Sequence, residues 1–430
     1  MHCAQPPDQP LALGIDLGSS GLRLVVIEPG GQILAEEAAT YPAPFTDPEG
    51  WRLGLVRICA RLPDALRSAI GALAVDGTSG TLLLCRSDGS LLPDRLGHAL
   101  PYHLACPQQA EAARQLAGAG ADASPAAGAS GSLARALQLL AELPGSDPDG
   151  LLLRHQADWL MGWLLGDWRW GEEGNNLRLG WDLERRNWSG SLAAQSWSHA
   201  LPQIRPSGAD LGHLAPSAAR TLGLPRACRV VAGSTDANAG VLAADPAPGD
   251  GITVLGTTLV LKQFTPEPIR GPGISCHRVA GRWLVGGASN AGGGVLRRFF
   301  TDQQIRELSR QIDPSRPSGL NLRPLPRRGE RFPEDDPDLE PRLEPRPVSD
   351  ALYLQALLEG LAVLEQRGWQ RLAELGAPKV HRVISLGGGA RNPQWRRIRQ
   401  QRLGVPVLNR PRLSAALGMA RLAATALPAP

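Results

Sequence analysis

The segment 11–31, LALGIDLGSSGLRLVVIEPGG, reads as two apolar strands joined by a Gly/Ser turn and closed by Pro-Gly-Gly, a hairpin with a polar, glycine-bearing tip. The pattern returns at 251–262, GITVLGTTLVLK, with a Gly-Thr-Thr tip. Two related hairpins predict two similar domains, each built around one of them. The 430 residues exceed the size at which a single hydrophobic core stops growing, which agrees with that division. The spacing puts the boundary between Ala243 and Gly249, giving domains over 11–243 and 244–413. The final helix, 414–427, is a candidate to return to the first.

Between the hairpins, strand and helix patterns alternate, so the predicted class is α/β. Residues 51–70 carry helical spacing, followed by the strand-like ALAV, a small-residue turn DGTSG and the strand TLLLC. The stretch 103–150 is rich in Ala, Gly, Ser and Pro and reads as loosely connected helices. LLLRHQADWLMGWLLGDW reads as a buried amphipathic helix, and CRVVAG (228–233) as a strand running into Ser234-Thr235-Asp236 and a helix of small residues. Residues 313–349, dense in Pro, Arg and acids, predict a long irregular surface loop. Helix YLQALLEGLAVLEQ, strand RVISLGGGA and helix SAALGMARLAATAL complete the chain.

Lys262 and Lys379 are the only lysines, which excludes two common ATP-binding designs. A P-loop needs GxxxxGK[ST] and a protein kinase needs a lysine within VAIK, and neither lysine satisfies them. If ATP is used, backbone amides must hold its phosphates. GxSxG, GxGxxG and HExxH are also absent. The six cysteines (Cys3, Cys59, Cys85, Cys106, Cys228, Cys276) show no CxxC and read as reduced structural thiols. A formal charge of +4 is too small and too evenly spread to demand a nucleic-acid partner. The sequence has no long uninterrupted apolar run, and MHCAQPPDQP is unlike a secretion signal, so the expected location is the cytoplasm with no membrane partner.

Asp16-Leu17-Gly18-Ser19-Ser20-Gly21 places a carboxylate at a strand end beside a glycine turn. Such a group can sit near Mg²⁺ while exposed amides meet phosphate, or the run can be plain turn chemistry. Gly256-Thr257-Thr258 echoes it, and Gly387-Gly388-Gly389 follows an apolar strand where missing Cβ atoms permit close approach. Together the hairpins suggest two domains facing one nucleotide. Asp236 is either a catalytic base or an ordinary N-cap aspartate. Asn392 and Trp395 either bond and stack an adenine or pack on their own helix.

In this order the motifs resemble the FGGY carbohydrate kinases: a phosphate hairpin, an aspartate after GxT, a second phosphate hairpin and a GGGAxN loop. Within that family the similarity is greatest to D-ribulose kinases, through VDGTSGTLLL, HQADWL, NNLRLGWD, LPRRGERFP and GGGARNPQWRRIRQQRLGVPV, over nearly the whole chain. The resemblance implies a two-domain actin-like ATPase (ribonuclease H-like) fold with nucleotide and sugar in an interdomain cleft. It implies transfer of the ATP γ-phosphate to the terminal hydroxyl of D-ribulose, with ATP as co-substrate and Mg²⁺. Carried over by position, Asp16 is the Mg²⁺-side carboxylate and a sugar neighbour, and Gly18, Ser19 and Ser20 form the first phosphate hairpin. Asp236 is then the base, and Ser20, Gly21, Arg23 and Ser79 are sugar contacts. Gly256, Thr257 and Thr258 form the second hairpin, Gly293 neighbours the nucleotide, and Gly388, Gly389, Asn392 and Trp395 cradle adenosine.

Two departures bear on the sugar. Xylulose kinases carry Gln-Met-His where this chain has Thr78-Ser79-Gly80, and Tyr102-His103 stands where relatives carry Tyr-Asn or Asn-Asp. The alternatives are a kinase for another ketose or polyol such as D-xylulose, and an actin-like ATPase or sugar-binding regulator without kinase activity.

Overall fold

The computed structural model describes residues 9–118, 124–143 and 150–428, so Cys3, most of the N-terminal decapeptide and parts of 103–150 lie outside the described residues. The chain divides into two compact units: residues 1–243 with 278–281 and 414–430, and residues 244–277 with 282–413.

The first unit is built on strands β1 (Leu11–Leu17), β2 (Leu22–Ile27), β3 (Ile33–Ala39), β4 (Ile70–Gly77), β7 (Asp210–His213) and β8 (Arg229–Thr235), ordered β7-β8-β4-β1-β2-β3. Helix α1 (Pro48–Cys59) and the strand pair β5 (Leu82–Arg86) with β6 (Leu151–His155) intervene in the chain. β1 to β3 form an antiparallel meander, while β4 and β8 join β1 in parallel. Every residue of β1 is buried, as a strand covered on both faces requires. Helix α2 (Gln156–Leu165) packs into the same core, and α3 (Asp236–Ala244) follows β8 without a break.

The second unit repeats the plan. Strands β9 (Asp250–Leu255), β10 (Leu259–Thr265), β11 (Ile274–Val279), β12 (Arg282–Ala288), β13 (Arg382–Leu386) and β14 (Val407–Asn409) are ordered β11-β12-β10-β9-β13-β14. Leaving aside edge strands β7 and β11, both sheets read 3-2-1-4-5 in chain order, three antiparallel strands and then two parallel ones. Helices α4 (Asp302–Ser309), α5 (Asp350–Glu374) and α6 (Pro393–Leu403) belong to this unit. Inside it, Arg399 and Glu365 form an ion pair with no exposure at either side chain. Arg399 also donates to Ser385 Oγ at 2.7 Å, and Glu365 accepts from Thr253 Oγ1 at 2.6 Å, so α5, α6, β9 and β13 share one satisfied polar network.

The last helix, α7 (Ala415–Ala424), returns to the first unit and lies against β1. The approach is so close that a Cβ on Gly14 would sit 1.8 Å from the carbonyl oxygen of Ala416. One on Gly418 would sit 1.9 Å from that of Ala239. Glycine is required at both places by contact between backbones.

The α/β expectation holds, and three local expectations change. The stretch 151–168 is strand β6 followed by α2, because a five-residue apolar run pairs with β5 as readily as it coils. Helix α2 is buried around nearly its whole circumference, so it is not amphipathic. Residues 313–349 form no helix or strand but are not a surface loop: Leu325 and Phe332 enter the core, and buried Glu330 accepts from Ser289 Oγ at 2.6 Å and Asn290 N–H at 2.7 Å. Strand β3 and strand β7 were not anticipated. Among the described residues no two cysteines form a disulfide, and no helix is long and apolar enough to cross a membrane.

Candidate functional site

In the first unit, three neighbouring parallel strands, β1, β4 and β8, end in carboxylates. Asp16 and Asp76 are register partners, Ser234 is paired with Asp76, and Asp236 follows Thr235 directly. The carboxyl ends of parallel strands are where α/β sheets present ligand-binding groups.

Asp16 is buried and accepts from Arg23 Nη1 at 3.1 Å, its register partner on β2. Asp76 is fully buried, and neither of its oxygens has a hydrogen-bond partner. Burial first, then the charges of Asp16 and Asp236, push its carboxyl well above the usual range. Asp236 is half-buried. Loss of hydration pushes it up to about 6, helped by Asp16 and opposed by the Ala237 N–H at 2.7 Å and by Arg178. Its reading as an N-cap gives way, since Thr235 Oγ1 accepts the Asn238 N–H at 3.3 Å and Asp236 Oδ2 has no partner among the described residues.

The surrounding turns are fixed from behind. Tyr41 donates its hydroxyl to the Gly18 carbonyl at 2.8 Å, holding the hairpin tip on which Ser19 and Ser20 are exposed. Gly21 lies so close to the Ala39 carbonyl that a Cβ would stand 2.2 Å from it. In the turn after β4, Gln156 Oε1 accepts from the N–H and hydroxyl of Thr78 at 3.0 and 2.8 Å. Buried Arg135 donates to the Gly80 and Ser130 carbonyls at 3.2 Å each. Ser79, between them, is half-buried, and its hydroxyl makes no hydrogen bond among the described residues. Arg178 reaches this turn too, with Cδ 3.4 Å from where a Gly80 Cβ would be. Glu172 and Asn175 brace the end of β8, through Glu172 accepting the Asn175 N–H at 2.9 Å and Asn175 Nδ2 donating to the Ser234 carbonyl at 3.2 Å.

The second unit holds a cavity of about 610 Å³. Gly256, Thr257, Gly293, Gly388, Gly389, Asn392 and Trp395 all line it, while Thr258 does not. The hairpin tip is bound to the following helix start, with Gly293 N–H donating to the Gly256 carbonyl at 2.9 Å and Gly294 N–H to Thr257 at 3.0 Å. Two sequence roles shift here. Trp395 is only 2% exposed and belongs to the core, with its ring directly behind Gly389, so it forms the cavity floor and offers no free face to a base. Asn392 Oδ1 caps α6 by accepting from the Gln394 and Trp395 N–H groups, and its Nδ2 donates to Ser309 Oγ at 2.8 Å. A polar group missed in the sequence is Gln394, whose Oε1 is buried without a partner on the cavity wall.

Asp76 and Arg178 were also missed. Asp76, like Asp16, directly follows an apolar run, a pattern that by itself does not set it apart from a turn aspartate. Among the described residues no group of three or more His, Cys, Asp or Glu is spaced to hold a metal.

Comparison with known proteins agrees with this geometry. Residues 251–427 match the C-terminal domain of the FGGY family of carbohydrate kinases. An autoinducer-2 kinase of Yersinia pseudotuberculosis is 24% identical over 448 aligned positions, covering 93% of this chain and 83% of the relative. Among solved structures, a xylulose kinase from Rhodospirillum rubrum superposes with a TM-score of 0.80 at 21% identity, over 96% of this chain and 89% of the other. Plasmodium falciparum glycerol kinase with ADP superposes at 0.77 and 13% identity, over 97% and 89%. The fold is that of the two-domain actin-like ATPases.

Proposed function

We propose that the chain is an ATP-dependent carbohydrate kinase of the FGGY family, whose C-terminal domain it matches over residues 251–427, and that the sugar it phosphorylates is D-ribulose, giving D-ribulose 5-phosphate in the cytoplasm. The observation that carries the choice of sugar is the turn Thr78-Ser79-Gly80. It stands beside the carboxylate-bearing strand ends with a small, unbonded hydroxyl where xylulose kinases carry Gln-Met-His.

Phosphoryl transfer needs an oriented acceptor, a base for its proton and neutralised phosphate charge. Asp236, with Oδ2 free, accepts the proton of the sugar's terminal hydroxyl as that oxygen bonds to the γ-phosphorus and the bond to ADP breaks. Ser79, Arg23 and Gly21 orient the sugar. Gly18, Ser19 and Ser20 and the Gly256–Thr258 hairpin contact the phosphates, and the cavity of the second unit takes the adenosine. Mg²⁺ fits the donor set of Asp16 and the unpartnered oxygens of Asp76, hard carboxylate ligands of the kind this ion takes one or two of while it also binds phosphate. When bound it neutralises phosphate charge.

A second reading follows the Yersinia relative: a substrate like that of an autoinducer-2 kinase. The test is coupled ADP formation from Mg²⁺-ATP with D-ribulose, D-xylulose, autoinducer-2, pentitols, glycerol and hexoses. The expected result is a kcat/KM for D-ribulose at least about tenfold above D-xylulose, a difference of the size that one misplaced hydroxyl contact produces. A preference for D-xylulose or autoinducer-2 overturns the sugar assignment.

A further inference from the structure

The second unit carries a second hollow, of about 920 Å³, next to the nucleotide cavity and sharing Arg391 and Pro393 with it as a common wall. Four guanidinium side chains line it: Arg391, Arg396, Arg410 and Arg412. We propose that this hollow is an anion site for a phosphate-bearing small molecule, separate from the site for ATP.

The argument starts from charge. Between Leu375 and Pro430 the chain has no aspartate or glutamate, so this stretch supplies no counter-charge of its own. Where its arginines need neutralising inside the fold, they find acids elsewhere: Arg382 pairs with Asp250 and Arg399 with Glu365. The four arginines of the hollow do not. Among the described residues none of them has a carboxylate partner, and the one side-chain bond they make to the protein is from Arg410 Nη1 to the Ala244 carbonyl at 3.2 Å.

The walls are held in place while the charges stay free. Asn409 Nδ2 donates to the Ala390 carbonyl, tying the end of β14 to the loop after Gly389. Arg396 stands on the first turns of α6, and Arg410 and Arg412 flank Pro411 just beyond β14. Guanidinium forks on two fixed segments repel one another when empty and match the oxygens of a phosphate, which accepts paired N–H bonds. Four such forks call for more than one negative charge, which a carboxylate lacks and a phosphate ester or pyrophosphate has.

The test is calorimetric titration of the full chain, without metal, using inorganic pyrophosphate and, separately, ribose 5-phosphate. Two double variants separate the hollows: R396Q/R412Q in this one and R306Q/R310Q in the nucleotide cavity, all four side chains lying at or near the surface. The single change R412Q serves in place of the first double variant if that pair lowers the yield of folded protein. The expected result is saturable binding of one pyrophosphate, weakened at least about tenfold in R396Q/R412Q and unchanged in R306Q/R310Q, with ribose 5-phosphate following the same pattern if the source is an organic ester. Loss in R306Q/R310Q instead would show the anion in the nucleotide cavity. Equal loss in both would show a diffuse field, and no saturable binding would show solvated arginines. Each of these overturns the proposal, as does an oligodeoxythymidylate whose affinity exceeds that of pyrophosphate and grows with its length, the mark of a nucleic-acid surface.

Discussion

Asp76 stands beside Asp16 in the register of two parallel strands, and of the two carboxylates only Asp16 has a cation, Arg23, to pair with. The asymmetry leaves the Asp76 carboxyl buried without a compensating partner. Asp76 is pushed above its ordinary value by burial first and by Asp16 next. The folded protein therefore holds a proton that the unfolded chain releases above about pH 4. The stability from that proton is fully present below the unfolded value and is lost as pH rises through the folded one. Asp76→Asn removes the titration. Without metal, the melting temperature of the wild type should fall relative to Asp76→Asn as pH rises from about 4, the slope in the window approaching about 1.4 kcal/mol per pH unit. A gap that stays constant with pH would mean that Asp76 is ionised throughout.

For Asp236 the titration is read in catalysis. With its carboxyl near 6, kcat/KM should fall about tenfold per pH unit below that point as the base is protonated. Asp236→Ala should lose about 10²- to 10⁴-fold in turnover with the fold intact. Arg178 lowers the Asp236 value, so Arg178→Met should move the acid limb to higher pH. An unmoved limb would separate Arg178 from the base.

Trp395→Ala tests the floor of the cavity proposed for the nucleotide. Because the ring is core, removal should cost about 3–5 kcal/mol of stability as well as nucleotide affinity. Asn392→Ala should cost about 1 kcal/mol through the lost cap. Thermal melts beside ADP titrations check both. A selective loss of ADP affinity at unchanged melting temperature would restore stacking on the base.

Gln394 presents an unpartnered amide to the same cavity, and an amide matches the adjacent donor and acceptor on an adenine edge. Gln394→Leu should narrow the preference for ATP over GTP, with each lost bond worth about 1 kcal/mol. Competition kinetics with the two nucleotides decide it, and an unchanged ratio removes Gln394 from recognition.

Glu365→Gln leaves the Arg399 charge buried without its ion pair and should cost about 3–5 kcal/mol. Replacing both partners with apolar residues of similar volume should cost less than either single change. Denaturant melts of the three variants are the measurement.

What the sequence made legible follows from range. The hairpins β1–β2 and β9–β10 are local objects, and alternation with a small-residue tip announces them. The glycines of 387–389 were equally visible because they follow a short apolar strand. Asp76 was not, since VDGTSG reads locally as any polar turn and only the pairing of β4 with β1 sets its carboxylate beside Asp16. The burial of Trp395 was hidden for the converse reason: its position after Asn392 is local, but its place in the core depends on a cluster assembled around α5. The strand β6 was lost to the helix after it, because a run of leucines fits either period.

The arrangement of α7 gives the first unit an order of events in time. Strand β1 leaves the ribosome before the second unit, and the helix whose backbone touches Gly14 leaves after it. The second unit, encoded between them, has nearly all of its residues available earlier, whereas the first waits with one apolar face of its central strand uncovered. A nascent chain stopped before Ala415 is therefore a chain whose first unit cannot finish folding, and the bare face makes it recognisable to chaperones and proteases. The first unit therefore closes only after the second has been made.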